Sequence, residues 1–91
     1  MHVWPAKDPN EFLDYQVSWV DRLVTGETIT ASTFTVVSGD VTLSNQSYAS
    51  GITTVWVASG TDGSTAEVLN RITTSAGRIY DETVKLKIRS K

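Results

Sequence analysis

The chain contains no cysteine, one histidine and two prolines among its 91 residues. Without thiols there is neither a disulfide framework nor a thiolate metal site. With His2 as the sole imidazole, no Ser-His-acid arrangement and no multi-histidine metal site can be assembled. His2 itself reads as a solvent-exposed end residue. Apolar runs of a few residues fall far short of the roughly 20 that span a bilayer, and the opening Met1–Pro9 stretch lacks the apolar core of a signal peptide. The expectation is a soluble chain made in the cytoplasm, with no membrane partner. Phosphate-loop chemistry is missing too, because Gly60-Thr61-Asp62-Gly63 has no lysine after it and stands between strands. Asp62 lacks the partners of a calcium loop. Asp8/Glu11, Asp14/Asp21 and Asp81/Glu82 pair carboxylates in sequence, but no constellation supplies a nucleophile, a base and an orienting group together. The chain is expected to be no enzyme and to need no cofactor. Asn45-Gln46-Ser47 matches the glycosylation acceptor pattern, which has no meaning without a secretory route.

What is abundant is Thr and Ser, 13 and 10 residues, interleaved with Val, Ile and aromatics. β-branched side chains fit a pleated backbone and lose rotamer freedom in a helix, so this composition argues for sheet. Residues 1–13 hold both prolines and no alternation. They are expected to form an extended arm lying across a surface outside any sheet, with a short helical turn starting near Asp8. From Asp14 the period of two begins, with Tyr15, Val17 and Trp19 on one side. Further strands are expected over Thr28–Val37, a short Val41–Leu43, Ile52–Ala58, Thr65–Thr74 and Arg78–Arg89, the last two forming a hairpin through Ser75-Ala76-Gly77. Asn45–Gly51 reads as polar and turn-rich. Short strands at roughly ten-residue intervals, with turn signals between them, predict an all-β, immunoglobulin-like or fibronectin-like antiparallel β-sandwich over residues 14–91. Trp19, Trp56, Phe34 and Leu86 are expected to supply much of its core.

Charge is distributed unevenly. Residues 1–70 carry two basic and eight acidic side chains, whereas residues 71–91 carry six basic and two acidic ones. In the last strand Lys85, Lys87 and Arg89 alternate with Val84, Leu86 and Ile88, giving a cationic face opposite a core face. Nucleic acid is not the expected partner, because no aromatics interleave with these cations for base stacking. Two readings compete: lysines guarding an edge strand, and contact with an acidic neighbour. Tyr15, Tyr48, Tyr80, Trp4, Trp19 and Trp56 raise the possibility of a sugar-stacking platform, although Trp19 and Trp56 lie within strand alternation and are expected inside. Trp4, beside Pro5 and without a local partner, reads as an anchor that fills a pocket on its own sandwich or on another subunit.

Trp4-Pro5-Ala6-Lys7-Asp8-Pro9, Leu13-Asp14-Tyr15, Ser18-Trp19, Arg22-Leu23, Thr28-Ile29 and Ser32-Thr33-Phe34 resemble the opening of a family of small tailed-bacteriophage virion proteins, the phage fiber-tail adaptor-like proteins. Val55-Trp56-Val57, the Gly60–Gly63 turn, Asn70-Arg71-Ile72-Thr73-Thr74, Gly77-Arg78 and the closing strand extend the likeness over nearly the whole chain. It departs near Ala66, where relatives often carry tyrosine. The resemblance implies a multi-copy structural protein of the virion at the head-tail neck or tail, in a ring or other symmetric assembly, linking neighbouring virion proteins or fibers. A capsid decoration protein or a host-glycan-binding module on the virion surface is the alternative. The residues expected to meet partners are Trp4, Pro5, Lys7, Asp8 and Pro9 of the arm, and Lys85, Lys87 and Arg89 of the basic strand.

Overall fold

The computed structural model describes residues 2–91, in which the alternation of Thr and Val with larger apolar residues becomes seven strands. They are β1 (His2–Lys7), β2 (Leu13–Ser18), β3 (Ile29–Ser38), β4 (Val41–Ala49), β5 (Ile52–Ser59), β6 (Thr65–Thr74) and β7 (Ile79–Ile88). One sheet has the order β1-β7-β6-β3 and the other the order β2-β5-β4, and together they form a β-sandwich. Every pairing is antiparallel except β1 with β7, which is parallel. The core lies between the sheets. Tyr15, Val17 and Trp19 reach it from one side with Val55 and Val57, and Phe34, Val68, Ile72, Val84, Leu86 and Ile88 reach it from the other. Each such side chain, removed from water, contributes roughly 1.5–3 kcal/mol.

The segment expected to be an arm is structured differently. His2–Lys7 is a sheet strand, with Val3 opposite Lys85 and Trp4 opposite Leu86. Pro5 reads locally as a reason to stay out of a sheet. At the outermost position of the sheet, however, a missing N–H costs little, and the register shifts between Trp4 and Lys7 where Pro5 stands. After β1 the chain makes one hydrogen-bonded turn at Asp8, in which the Glu11 amide donates to the Asp8 carbonyl (3.0 Å).

Three further expectations change. The third predicted strand does not stop at Leu43. β4 continues to Ala49 across a bulge between Ser44 and Ser47, with Asn45 in the left-handed region (φ 49°). β7 is not an edge strand, since β1 and β6 flank it, so its lysines do not guard an edge. Trp56 is not in the core. Val55 and Val57 are the fully buried neighbours, and the intervening Trp56 faces outward, against Phe12 (ring centroids 5.0 Å apart). At Ala66 the small side chain serves a close approach: a Cβ on Gly39 (φ 101°) would lie 2.9 Å from the Ala66 Cα and Cβ.

Candidate partner-binding surface

The N-terminal strand is pinned by side chains that face inward and across to β2. Trp4 is 4% exposed, stacks on Tyr15 (4.9 Å, 20°) and donates from Nε1 to the Gln16 carbonyl (2.9 Å). Tyr15 returns the contact, its hydroxyl donating to the Pro5 carbonyl (3.0 Å). Trp4 therefore fills a pocket on its own sandwich. Lys7 is fully buried, and its Nζ donates to the carbonyls of Asp8 (2.8 Å) and Ser59 (2.6 Å). Burial pushes its ammonium below the usual 10.5, against the opposing pull of Asp8 and Glu11. Two of the five residues expected to grip a partner through the arm, Trp4 and Lys7, thus hold this strand in place, whereas Pro5 is exposed and Asp8 and Pro9 are half-buried.

Asp8 and Glu11, one of the carboxylate pairs in the sequence, are both engaged in fastening the chain ends. Asp8 accepts from the amides of Asn10 and Lys91 (2.8 Å each), which holds its carboxyl below the usual 3.8. Glu11 accepts from Lys91 Nζ (2.8 Å) and from the Asp8 amide (2.8 Å), and its carboxyl is likewise lowered. Asp81 is taken by Arg71 (2.8 Å) and Glu82 by Arg22 (3.1 Å), whose guanidinium also lies over the rings of Trp19 and Tyr80. Among the described residues no three His, Asp or Glu side chains converge as a metal site would require.

The basic row remains. Lys85 and Lys87 stand on the outer face of β7, Arg89 follows one residue past its end, and all three are exposed. Along a strand, alternate residues repeat every ~6.7 Å, so the row is a regular ladder of positive charge. None of the three lies within 4 Å of a carboxylate among the described residues, though Glu67 is the cross-strand neighbour of Lys85. Val3, 58% exposed, and Pro5 border the row on β1. The opposite outer face differs. Strands β2, β4 and β5 contain a single charged residue, Asp14.

Three polar side chains that periodicity did not single out organise the interior and the seams. Asn70, fully buried, accepts from Trp19 Nε1 (2.9 Å) and Thr53 Oγ1 (2.6 Å), and donates to Ser32 Oγ and the Thr33 carbonyl (3.1 Å each). Gln46 brackets the Phe34 backbone, accepting from its amide (2.9 Å) and donating to its carbonyl (3.1 Å). Glu27 accepts from Thr74 Oγ1 (2.5 Å) and the Val24 amide (3.0 Å), with Arg78 at 3.4 Å. A polar residue inside an alternating strand was the available signal for Asn70. Nothing local marked Gln46, because its partner lies in another strand.

The site that the fold presents is a small sandwich with several paired carboxylates and an exposed cationic row on one outer face. The chain belongs to the family described as podophage GP4 fiber-tail adaptor protein gp77, whose model matches residues 7–87. It is thus a structural protein of the phage tail. The matched span begins at Lys7, so Trp4-Pro5-Ala6 lie outside it. No curated protein matches the chain.

Proposed function

We propose that this chain is a non-enzymatic adaptor in the phage virion, present in many copies near the neck or tail, joining neighbouring tail or fiber proteins through an immunoglobulin-like brick. Seven strands in two sheets, with the first parallel to the last, support the immunoglobulin-like reading. The observation that carries the adaptor reading is the row Lys85, Lys87 and Arg89: exposed, with no carboxylate within 4 Å among the described residues, the two lysines on a strand with neighbours on both sides and Arg89 just past its end. Such a row meets an acidic surface on another virion protein, and Pro5, Asp8 and Pro9, which stay at least partly exposed, add to the contact. Exposed cations add little to folding but steer and orient association.

The test is a Lys85→Glu/Lys87→Glu double variant, followed by particle incorporation and by a salt titration of binding to purified tail and fiber proteins. Incorporation should fall at least tenfold, and wild-type binding should weaken as salt rises. Normal incorporation of the variant, or binding indifferent to salt, refutes the interface. Counting copies in intact particles by electron microscopy separates a tail-symmetric number from the hundreds that decoration of the shell would require.

A further inference from the structure

Arg89, the third cation of the basic row, lies one residue past the end of β7, and we propose that Asp8, Glu11 and Asp62 form a clasp that fixes it there as the last rung. The proposal deepens the reading of the row as a partner-binding surface and rests on it. A segment outside any ladder frays unless something ties it down, and a guanidinium on a frayed segment has no fixed place in a row. Here three successive amides are tied, each to a different residue. Arg89 donates to the Lys7 carbonyl (2.9 Å), Ser90 to Asp62 Oδ1 (2.8 Å) and Lys91 to Asp8 Oδ2 (2.8 Å). The Lys91 ammonium adds a bond to Glu11 Oε1 (2.8 Å).

The carboxylates of the clasp are themselves held by the turns that carry them. After β1, Asp8 Oδ1 accepts from the Asn10 amide and Glu11 Oε1 from the Asp8 amide (2.8 Å each), the reciprocal pattern of a capping box. Lys7 Nζ steadies the same turn through the Asp8 carbonyl and ties it to β5 through the Ser59 carbonyl. Asp62 stands in the turn between β5 and β6, which Asp40 holds by accepting from the Thr61 amide (3.1 Å) and hydroxyl. That turn also grips the last residue of β7: Gly63 donates to the Ile88 carbonyl (2.8 Å) and the Ile88 amide to the Ser64 carbonyl (2.9 Å). One turn follows β1 and the other precedes β6, the two strands that flank β7, so residues 88–91 are held from both sides. Ladder bonds place Lys85 and Lys87, whereas the clasp places Arg89. Asp8 and Asp62 are therefore positioning residues, acting on the partner contact through Arg89.

NMR relaxation of the full chain reads the clasp, and particle incorporation reads its consequence. Wild-type Arg89, Ser90 and Lys91 should have backbone order parameters of about 0.85, and in Asp8→Ala/Asp62→Ala these should fall below about 0.6 while Val84 and Leu86 stay rigid. Asp62→Asn, which keeps an acceptor for the Ser90 amide, should stay ordered. Arg89→Ala and Asp8→Ala/Asp62→Ala should each lower incorporation by about threefold, and combining them should lower it no further, because both remove the same rung. If circular dichroism shows that the Asp8→Ala/Asp62→Ala chain has lost its fold, Ser90→Pro/Lys91→Pro, which strips two amide donors outside every strand, carries the same comparison at Arg89. Residues 89–91 that are mobile in the wild type, unchanged order in the clasp variant, or additive losses of incorporation overturn the proposal. A clasp variant that loses order yet incorporates normally, while Lys85→Glu/Lys87→Glu does not, overturns the clasp's role and leaves the basic row standing. Normal incorporation of the lysine variant overturns the row, and this proposal with it.

Discussion

At the scale of single residues, every buried side-chain nitrogen and oxygen among the described residues has a hydrogen-bond partner. Asn70 serves four partners drawn from β2's end, β5 and β3. Asn70→Ala would strand the Trp19 indole N–H and leave the Thr53 hydroxyl only its longer bond to the Val17 carbonyl (3.3 Å), at roughly 1–3 kcal/mol for a buried group left unpaired. A net loss of about 3 kcal/mol in a urea titration is the expected outcome. The tryptophans separate in the same experiment: Trp19→Ala should cost about 3–5 kcal/mol, and the outward-facing Trp56→Ala about 1 kcal/mol. Glu27 makes a pH prediction. Its carboxyl is held below the usual 4.5, first by Thr74 Oγ1, then by the Val24 amide and Arg78. A lowered folded value means that the unfolded state takes up protons first. The contribution is therefore fully present above pH ~4.5 and is lost as pH falls through the folded value. Glu27→Gln should flatten that part of the acid stability profile, and an unchanged profile would show that this carboxylate is not the linked group.

At the scale of elements, the seams between the two sheets are closed by side chains, not by ladder hydrogen bonds. Gln46 and Tyr48 of β4 bind the free edge of β3 at Phe34 and Thr30, while Trp4 and Tyr15 join β1 to β2. Unpaired edges invite association with other strands, and side chains bound to their backbone groups block that. Gln46→Ala should cost about 1 kcal/mol and speed amide exchange at Phe34 more than at the paired positions of β6. β1 is part of the brick. Deleting residues 2–7 removes Trp4 and Lys7 from the interior and uncovers β7 beside Val84 to Ile88. The truncated chain should lose at least the ~3–5 kcal/mol of a buried tryptophan and unfold at markedly lower temperature. A truncation that melted like the full chain would mean that β1 is a detachable strap after all.

At the scale of the whole molecule, the two outer faces differ in kind: one carries the row Lys85, Lys87 and Arg89, and the strands of the other contain a single charged residue, Asp14. Because exposed charges change folding stability by no more than about 0.5 kcal/mol, Lys85→Glu/Lys87→Glu should melt like the wild type while failing to join particles. A large drop in melting temperature would show the row to be structural instead. The family assignment covers residues 7–87, and thus nearly all of the sandwich that presents both faces.

Most strands from Asp14 onward were legible in the chain because a period of two is a local property: Tyr15-Val17-Trp19 and Val84-Leu86-Ile88 declare an inner face whatever packs against them, whereas the polar second half of β4, beyond Leu43, has no such pattern. Parity in the continuous run Val55-Trp56-Val57 was not legible, since three apolar residues in succession fit either face until the opposite sheet takes Val55 and Val57. Pro5 signals exclusion from a ladder, and only the long-range pairing of β1 with β7 shows an outer position where the missing donor is harmless. Composition and alternation alone give a β-rich chain with no cysteine and one basic stripe. Which strand stands at an edge, which tryptophan is buried and what Lys7 and Gln46 hold were decided by tertiary structure, because each depends on partners tens of residues away that no local pattern encodes.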